Sequence, residues 1–168
     1  MARTFGVWFR EPTAGDLVDL CRNMSAMDAR EIFAINPVAP DVLAMSIYAQ
    51  LPRARFAVAI GLDNDPAAIA FLGAWPQDAS GGLVSANLFG TDAFASLAGR
   101  FARFVRGHLK AEMERLKVRR AECRVLKEHT RARAFIRACG GIEEGELIDF
   151  GPNGETYMLA AWRRSDWS

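Results

Sequence analysis

Apolar and polar positions follow two different periods along this chain of 168 residues, and the switches between them mark its elements. Residues 4–10 alternate loosely and are aromatic-rich (Phe5, Trp8, Phe9), which predicts a first strand. Over 12–16 the chain turns, with Thr13 as N-cap and Asp16 three places on as its capping-box partner. Leu17, Leu20, Cys21 and Met24 then share one helical face. Ser25 opens a second helix to about Ile35, and Pro37 and Pro40 interrupt it. Asp41 can cap a further helix to about Leu51.

Residues 55–62 and 67–75 read as strands around the turn Asp63-Asn64-Asp65-Pro66, an antiparallel hairpin. Gly73 inside it marks a bulge or a close backbone approach. After Ser80-Gly81-Gly82 a third strand of this group runs over 83–89. From 93 to 117 the apolar positions Phe94, Leu97, Phe101, Phe104, Val105, Leu109, Met113 and Leu116 keep a 3.6-residue period, so one long helix is expected. Arg100, Arg103, Arg106 and Lys110 fall on its other side, and His108 reads as partly buried. A strand over 120–126, a helix over 130–138 closed by Gly140-Gly141, and strands over 146–150 and 155–162 complete the chain. Asn153-Gly154 is the expected turn of that last hairpin. The order is β-α-α-β-β-β-α-β-α-β-β, an α+β fold with a mixed, mostly antiparallel sheet flanked by helices. No linker or repeat interrupts it, so residues 1–168 read as a single domain.

Composition changes this picture little. Hydrophobic residues make up 51% and charged residues 24%, ordinary for a soluble protein, and the formal net charge is +1. No apolar run approaches the roughly 18 residues of a membrane span, and no secretory leader is expected. Residues 100–137 carry 13 Lys and Arg against 4 Asp and Glu, a local surplus of +9. Phosphate, nucleic acid or an acidic partner would be drawn to it, or it is a solvated face; nucleic-acid binding lacks the interleaved aromatic residues of single-strand binders. Cys21, Cys123 and Cys139 are odd in number and far apart, which fits buried thiols in a reducing compartment and gives a metal site no support.

The C-terminal third adds a family. The segment 132–145 resembles the helix and acidic-glycine turn N-x-x-A-x-x-x-Y-x-x-x-G-F of the GNAT superfamily of acyl-CoA N-acyltransferases. Ala132 and Gly140 match; His129 stands at its Asn, Ile136 at its Tyr and Gly141 at its Phe. Within the superfamily the chain resembles small phage-encoded GNAT-like and internal virion proteins of podophages. Asp28-Ala29-Arg30-Glu31-Ile32, Leu88-Phe89-Gly90-Thr91-Asp92 and Phe101-Ala102-Arg103-Phe104 carry that likeness.

The resemblance implies transfer of an acetyl group from acetyl-CoA to a small-molecule or protein amine. Its alternative is an inactive phage virion or assembly protein that keeps the fold, partnered by virion proteins. It implies a cytoplasmic protein of the host cell, or one carried in the virion. In the family the pantetheine arm lies in a splayed gap between the fourth and fifth strands, where backbone groups of Asn87, Leu88 and Phe89 would pair with it. The following elbow usually carries R/Q-x-x-G-x-G/A, whose N–H groups close on the pyrophosphate. Here it is Phe89-Gly90-Thr91-Asp92-Ala93-Phe94, with one glycine and a carboxylate at the expected helix start. Gly90, Thr91, Asp92 and, on the helix, Arg100 are therefore the remaining cofactor candidates, with Thr91 and Asp92 also readable as plain caps, since a carboxylate there would satisfy the N–H groups a pyrophosphate needs and repel its charge. For proton transfer the chain offers His129 and Ser85, and Ile136 cannot donate a proton.

Overall fold

The computed structural model describes residues 6–167. The expectation of strand at Thr4 and Phe5 falls outside the described residues. Local code is strongest at the first helix. The Thr13 hydroxyl accepts the Asp16 N–H at 3.1 Å, and the Asp16 carboxylate accepts the Thr13 N–H at 2.8 Å, so the capping box opens α1 (Ala14–Arg22). From β1 (Val7–Arg10), the Arg10 guanidinium clasps the same carboxylate with both terminal nitrogens. Burial alone would raise the Asp16 carboxyl, but hydrogen bonds from Arg10 and Thr13 outweigh it and hold the group below its ordinary value.

Ser25 caps α2 (Ala26–Ile35), as its position predicts. Next comes α3 (Pro40–Gln50), which starts on a proline whose missing N–H costs nothing there. Its N-cap is Ala39, and Asp41 pairs with Arg22 of α1 at 2.6 Å instead of capping. The chain thus carries, between its first two strands, the three helices that the apolar pattern predicts, one more than the condensed order β-α-α-β counts.

The hairpin of β2 (Phe56–Leu62) and β3 (Ala68–Pro76) is antiparallel, and β1 joins it antiparallel to β2. The bulge falls between Ile60 and Gly61, whereas Gly73 marks a close approach: a Cβ there would lie 2.5 Å from the Trp75 ring. The remaining strands are β4 (Leu83–Gly90), β5 (Arg120–Leu126), β6 (Ile142–Leu147) and β7 (Tyr157–Arg163). Their hydrogen-bonding order is β1-β2-β3-β4-β5-β7-β6, with β4 and β5 parallel and β7 antiparallel to both its neighbours.

The chain divides into two compact units, and β4 contributes to both. The first holds the chain up to Trp75 together with Asn87–Ser96. Its core is Leu17, Leu20 and Cys21 of α1, Leu43 and Ala44 of α3, Phe71 of β3 and Phe89 of β4, with the Phe71 and Phe89 rings 5.4 Å apart. The second holds Pro76–Ala86 and the chain from Leu97 onward. There Phe101 of α4 (Ala98–Arg115) stacks on Phe135 of α5 (Thr130–Ala138), ring centroids 6.1 Å apart. The Trp162 indole N–H donates to the Cys139 carbonyl at 3.2 Å.

Two boundaries and one exposure differ from the periodicity. The long helix starts at Ala98, because Asp92–Ser96 forms a 3-10 turn in front of it. His108 is exposed, not partly buried, with its ring 4.2 Å from that of Phe104. Strand β6 lies earlier than expected, and residues 148–156 form a long connection with Asp149 at φ 54° and Gly154 at φ 83°. Asn153 binds the Glu155 carboxylate through its N–H at 2.9 Å and its side-chain amide at 3.0 Å, so Asn153-Gly154 closes the end of that connection instead of joining two strands directly. Every glutamate of β6 is ion-paired: Glu143 to Arg133 and Arg137, Glu144 to Arg120 and Arg163, Glu146 to Lys127.

The Asp16 junction generates a pH-dependent outcome. A depressed folded-state pKa means stability that is complete above the unfolded carboxylate value of about 4 and lost as pH falls through the lower folded value. Asp16→Ala should cost about 2–3 kcal/mol at pH 7. In urea titrations at decreasing pH the gap between wild type and variant should close only below pH ~4; a gap independent of pH would contradict the assignment.

Candidate functional site at the end of strand β4

Strand alternation sorts the main-chain groups of β4 into two edges. The Leu83 carbonyl accepts the Gln77 N–H at 2.9 Å and the Thr91 N–H donates to the Ile69 carbonyl at 2.9 Å, so odd-numbered residues face the β3 side. Even-numbered residues therefore present their N–H and C=O to the other edge. Pairing with β5 on that edge runs from Leu83–Arg120 to Ser85–Glu122. At Gly90 the same edge is occupied from within the first unit. The Gly90 N–H donates to Asp28 Oδ2 at 2.9 Å, and the Gly90 carbonyl accepts the Ser25 N–H at 2.8 Å. Between these two lies Leu88, whose outward N–H and C=O come after the last β5 pair.

Gly90 owes its identity to space, not to backbone angle. A Cβ there would sit 2.8 Å from the Ile69 carbonyl oxygen and 3.1 Å from the Cβ atoms of Ala70 and Phe94. Three of the elbow's donors are spent internally: Gly90 on Asp28, Thr91 on Ile69, Phe94 on the Thr91 carbonyl at 3.0 Å. Asp92 is exposed and opens the 3-10 turn, so it does not cap α4 as the sequence suggested. The α4 N-cap is Leu97, which offers no side-chain acceptor to the first turn at Ala98 and Gly99. That uncapped start, displaced along the chain from the elbow, escaped the sequence because the apolar period runs unbroken through the 3-10 turn.

The other candidates sit as follows. Asn87 is exposed, Leu88 half-buried, and Phe89 is buried in the first unit's core. Thr91 is half-buried with its hydroxyl 3.4 Å from the Ile69 carbonyl. Arg100, in the first turn of α4, is exposed and makes no ion pair among the described residues. Ser85 and His129 belong to the second unit. His129 is buried at the N-cap position of α5, where its main chain bonds Leu126 and Arg133 and its side chain makes no capping bond.

Ser85 faces a residue that the sequence did not single out. The parallel register sets Glu122 of β5 opposite it, about 4.8 Å away strand to strand and on the same face. Glu122 is mostly buried, accepts from Arg120 Nε at 3.0 Å and lies 3.7 Å from Arg124. A carboxylate absent from β4 is thus supplied by its neighbour, and only knowledge of the β4–β5 register could reveal it.

The two buried thiols, Cys21 and Cys139, offer no nucleophile. Burial pushes Cys139 up to about 12, and burial with the nearby Asp41 carboxylate pushes Cys21 up to about 11. Among the described residues no three His, Cys, Asp or Glu side chains are grouped to hold a metal ion. A cleft of about 540 Å³ in the second unit, lined by Arg106, Lys110, Cys139, Ile142 and Asp166 among others, includes none of the sequence-derived site residues.

No protein-family model matches the sequence, and no curated protein matches it. Solved structures do share its fold. A GNAT-family acetyltransferase from Bacillus anthracis aligns with a TM-score of 0.73 at 11% identity, covering 97% of this chain and 98% of that one. A ribosomal-protein-alanine acetyltransferase from Vibrio fischeri gives 0.71 at 14% identity over 99% and 98%. Spermidine N-acetyltransferase from Vibrio cholerae, in complex with CoA and spermine, gives 0.70 at 13% identity over 98% and 99%. At such identities the likeness establishes the fold, which is that of the GNAT acetyltransferases.

Two glycines separate a spatial constraint from a conformational one. Gly90→Ala should destabilise the protein by about 1–3 kcal/mol, since its Cβ meets backbone that cannot swing aside. Gly99→Ala, with open space around the new methyl and a helical backbone, should be neutral or stabilising by up to about 1 kcal/mol. Chemical denaturation of both variants checks this; equal effects would remove the packing account of Gly90.

Proposed function

We propose that the chain is an acyl-CoA-dependent N-acyltransferase that acetylates an amine. The observation that carries this is the outward N–H and C=O of Leu88, presented on β4 past the last β5 pair. An amide-bearing arm such as pantetheine can add to such an edge as an extra strand. Asn87 to Phe89 would hold that arm, and Arg100, exposed in the first turn of α4, stays the phosphate candidate that the resemblance implies. Bound acyl-CoA supplies an acyl group activated as a thioester.

The protein's part is then positioning and proton transfer. An amine attacks only after losing its proton, and Glu122 is the carboxylate we assign to accept it, with the Ser85 hydroxyl opposite as a relay or orienting group. Ile136, buried where the family places a tyrosine, leaves protonation of the departing thiolate to water. His129, buried at the start of α5, is assigned to packing. An amine acceptor is supported by the shared fold of an enzyme whose structure holds CoA and spermine.

A second reading is a non-catalytic protein that keeps the fold, the phage virion or assembly role that the sequence resemblance implies. Its favouring observation is that the donors of Gly90 and Thr91 are already used inside the protein.

Titration with acetyl-CoA separates the two. Saturable heat and a raised melting temperature are expected of a transferase, and their absence would favour the second reading. In an acetyl-transfer assay with spermidine as trial acceptor, Glu122→Gln should lower kcat by roughly 10²–10⁴ while KM for acetyl-CoA stays close to wild type. An unchanged kcat would remove Glu122 from the proton path.

A further inference from the structure

The two groups that close β4 at Gly90 come from one short element, the N-terminal turn of α2. Ser25 supplies the donor and Asp28 the acceptor, so this turn binds the strand edge as a paired strand would. The edge it covers is the one that carries Leu88. An arm pairing along β4 from Leu88 meets Asp28 and Ser25 at the next outward position. The strand cannot yield there, because Gly90 is boxed in by Ile69, Ala70 and Phe94.

Helix α2 can yield. It is the one of the first three helices with no fully buried residue, whereas α1 buries Leu17, Leu20 and Cys21 and α3 buries Leu43 and Ala44. Ile32 and Phe33 only flank the core, and the capping contact from the Asp28 N–H to the Ser25 hydroxyl is a long 3.3 Å. Lifting the first turn of α2 therefore exposes little apolar surface and leaves the core standing.

We infer that the first turn of α2 is an internal plug on the cofactor edge of β4: Asp28 and Ser25 occupy Gly90 in the free protein and must release it when an acyl-CoA arm pairs along the strand. This rests on the acyl-CoA reading proposed above. It makes Asp28 a positioning residue that sets apparent affinity, since the arm binds only the fraction of molecules with the plug withdrawn.

Hydrogen exchange and calorimetry on the full chain test it. In the free protein the amides of Ser25 and Gly90 should be protected, and saturating acetyl-CoA should speed exchange at Ser25 while β2 and β3 stay unchanged. Asp28→Ala should bind acetyl-CoA about tenfold more tightly, the scale of one hydrogen bond to a charged group removed from the competing state. Equal affinities, weaker binding, or a Ser25 amide that stays protected in the complex would overturn the plug and leave the acyl-CoA reading in place. Absence of acetyl-CoA binding by both proteins, with β2 and β3 still protected, would overturn that reading and the plug with it. Should the variant not fold, the exchange result on the wild-type chain decides.

Discussion

The end of β4 is governed by a single constraint: Gly90 is packed so closely that its main chain must find all its partners at fixed positions. With no room for a methyl, the strand approaches Ile69 and Ala70, and Phe89 beside it seats in the core formed by α1, α3 and Phe71. The same closeness directs the N–H of Thr91 to Ile69 and the chain into a 3-10 turn, so the long helix starts later than its apolar rhythm suggests. It also draws the start of α2 to the strand. One residue's lack of a side chain thus bears on the geometry of the elbow and on the anchoring of a helix far before it in sequence.

What could be read from residues alone divides by the range of the interactions involved. The start of α1 is encoded within four residues, by Thr13 and Asp16, and forms as spaced. Ser25 behaves likewise, and α5 keeps its expected bounds, with Gly140 left-handed just past its end. Where a local signal met a tertiary one, the local signal lost. Asp41 is a good cap by type, but Arg22 from α1 takes its carboxylate; Asn153-Gly154, a good hairpin turn by type, is overruled by another local contact, the Glu155 carboxylate two residues from Asn153. The site shows the same division more sharply. The strand and elbow are visible in the sequence, while the Asp28–Gly90 bond joins residues 62 apart and the Ser85–Glu122 pair depends on a parallel register. Neither leaves a mark in the spacing.

This division bears on how a fold is kept while the residues of its family's motifs change. A reaction needs a carboxylate at a place, and a strand can obtain it from its neighbour as well as from itself. An anion-binding elbow needs donors, and a chain that spends them on its own carbonyl and carboxylate groups gains rigidity in exchange for open sites. At 11–14% identity to proteins of the same fold, a side chain placed by strand register is one that a search by motif would miss.

The last strand in the hydrogen-bonding order, β6, has a consequence of a different kind. An outermost strand exposes a row of main-chain donors and acceptors to any other extended chain. Here that strand is short, and its three glutamates are each held by cations from α5, β5, β7 or the β5–α5 connection. Another chain adding at this border would have to approach a fence of charges already committed to one another, and to strip water from them without offering better partners. The ion pairs along β6 that look like surface decoration thus also hinder growth of the sheet by strand addition.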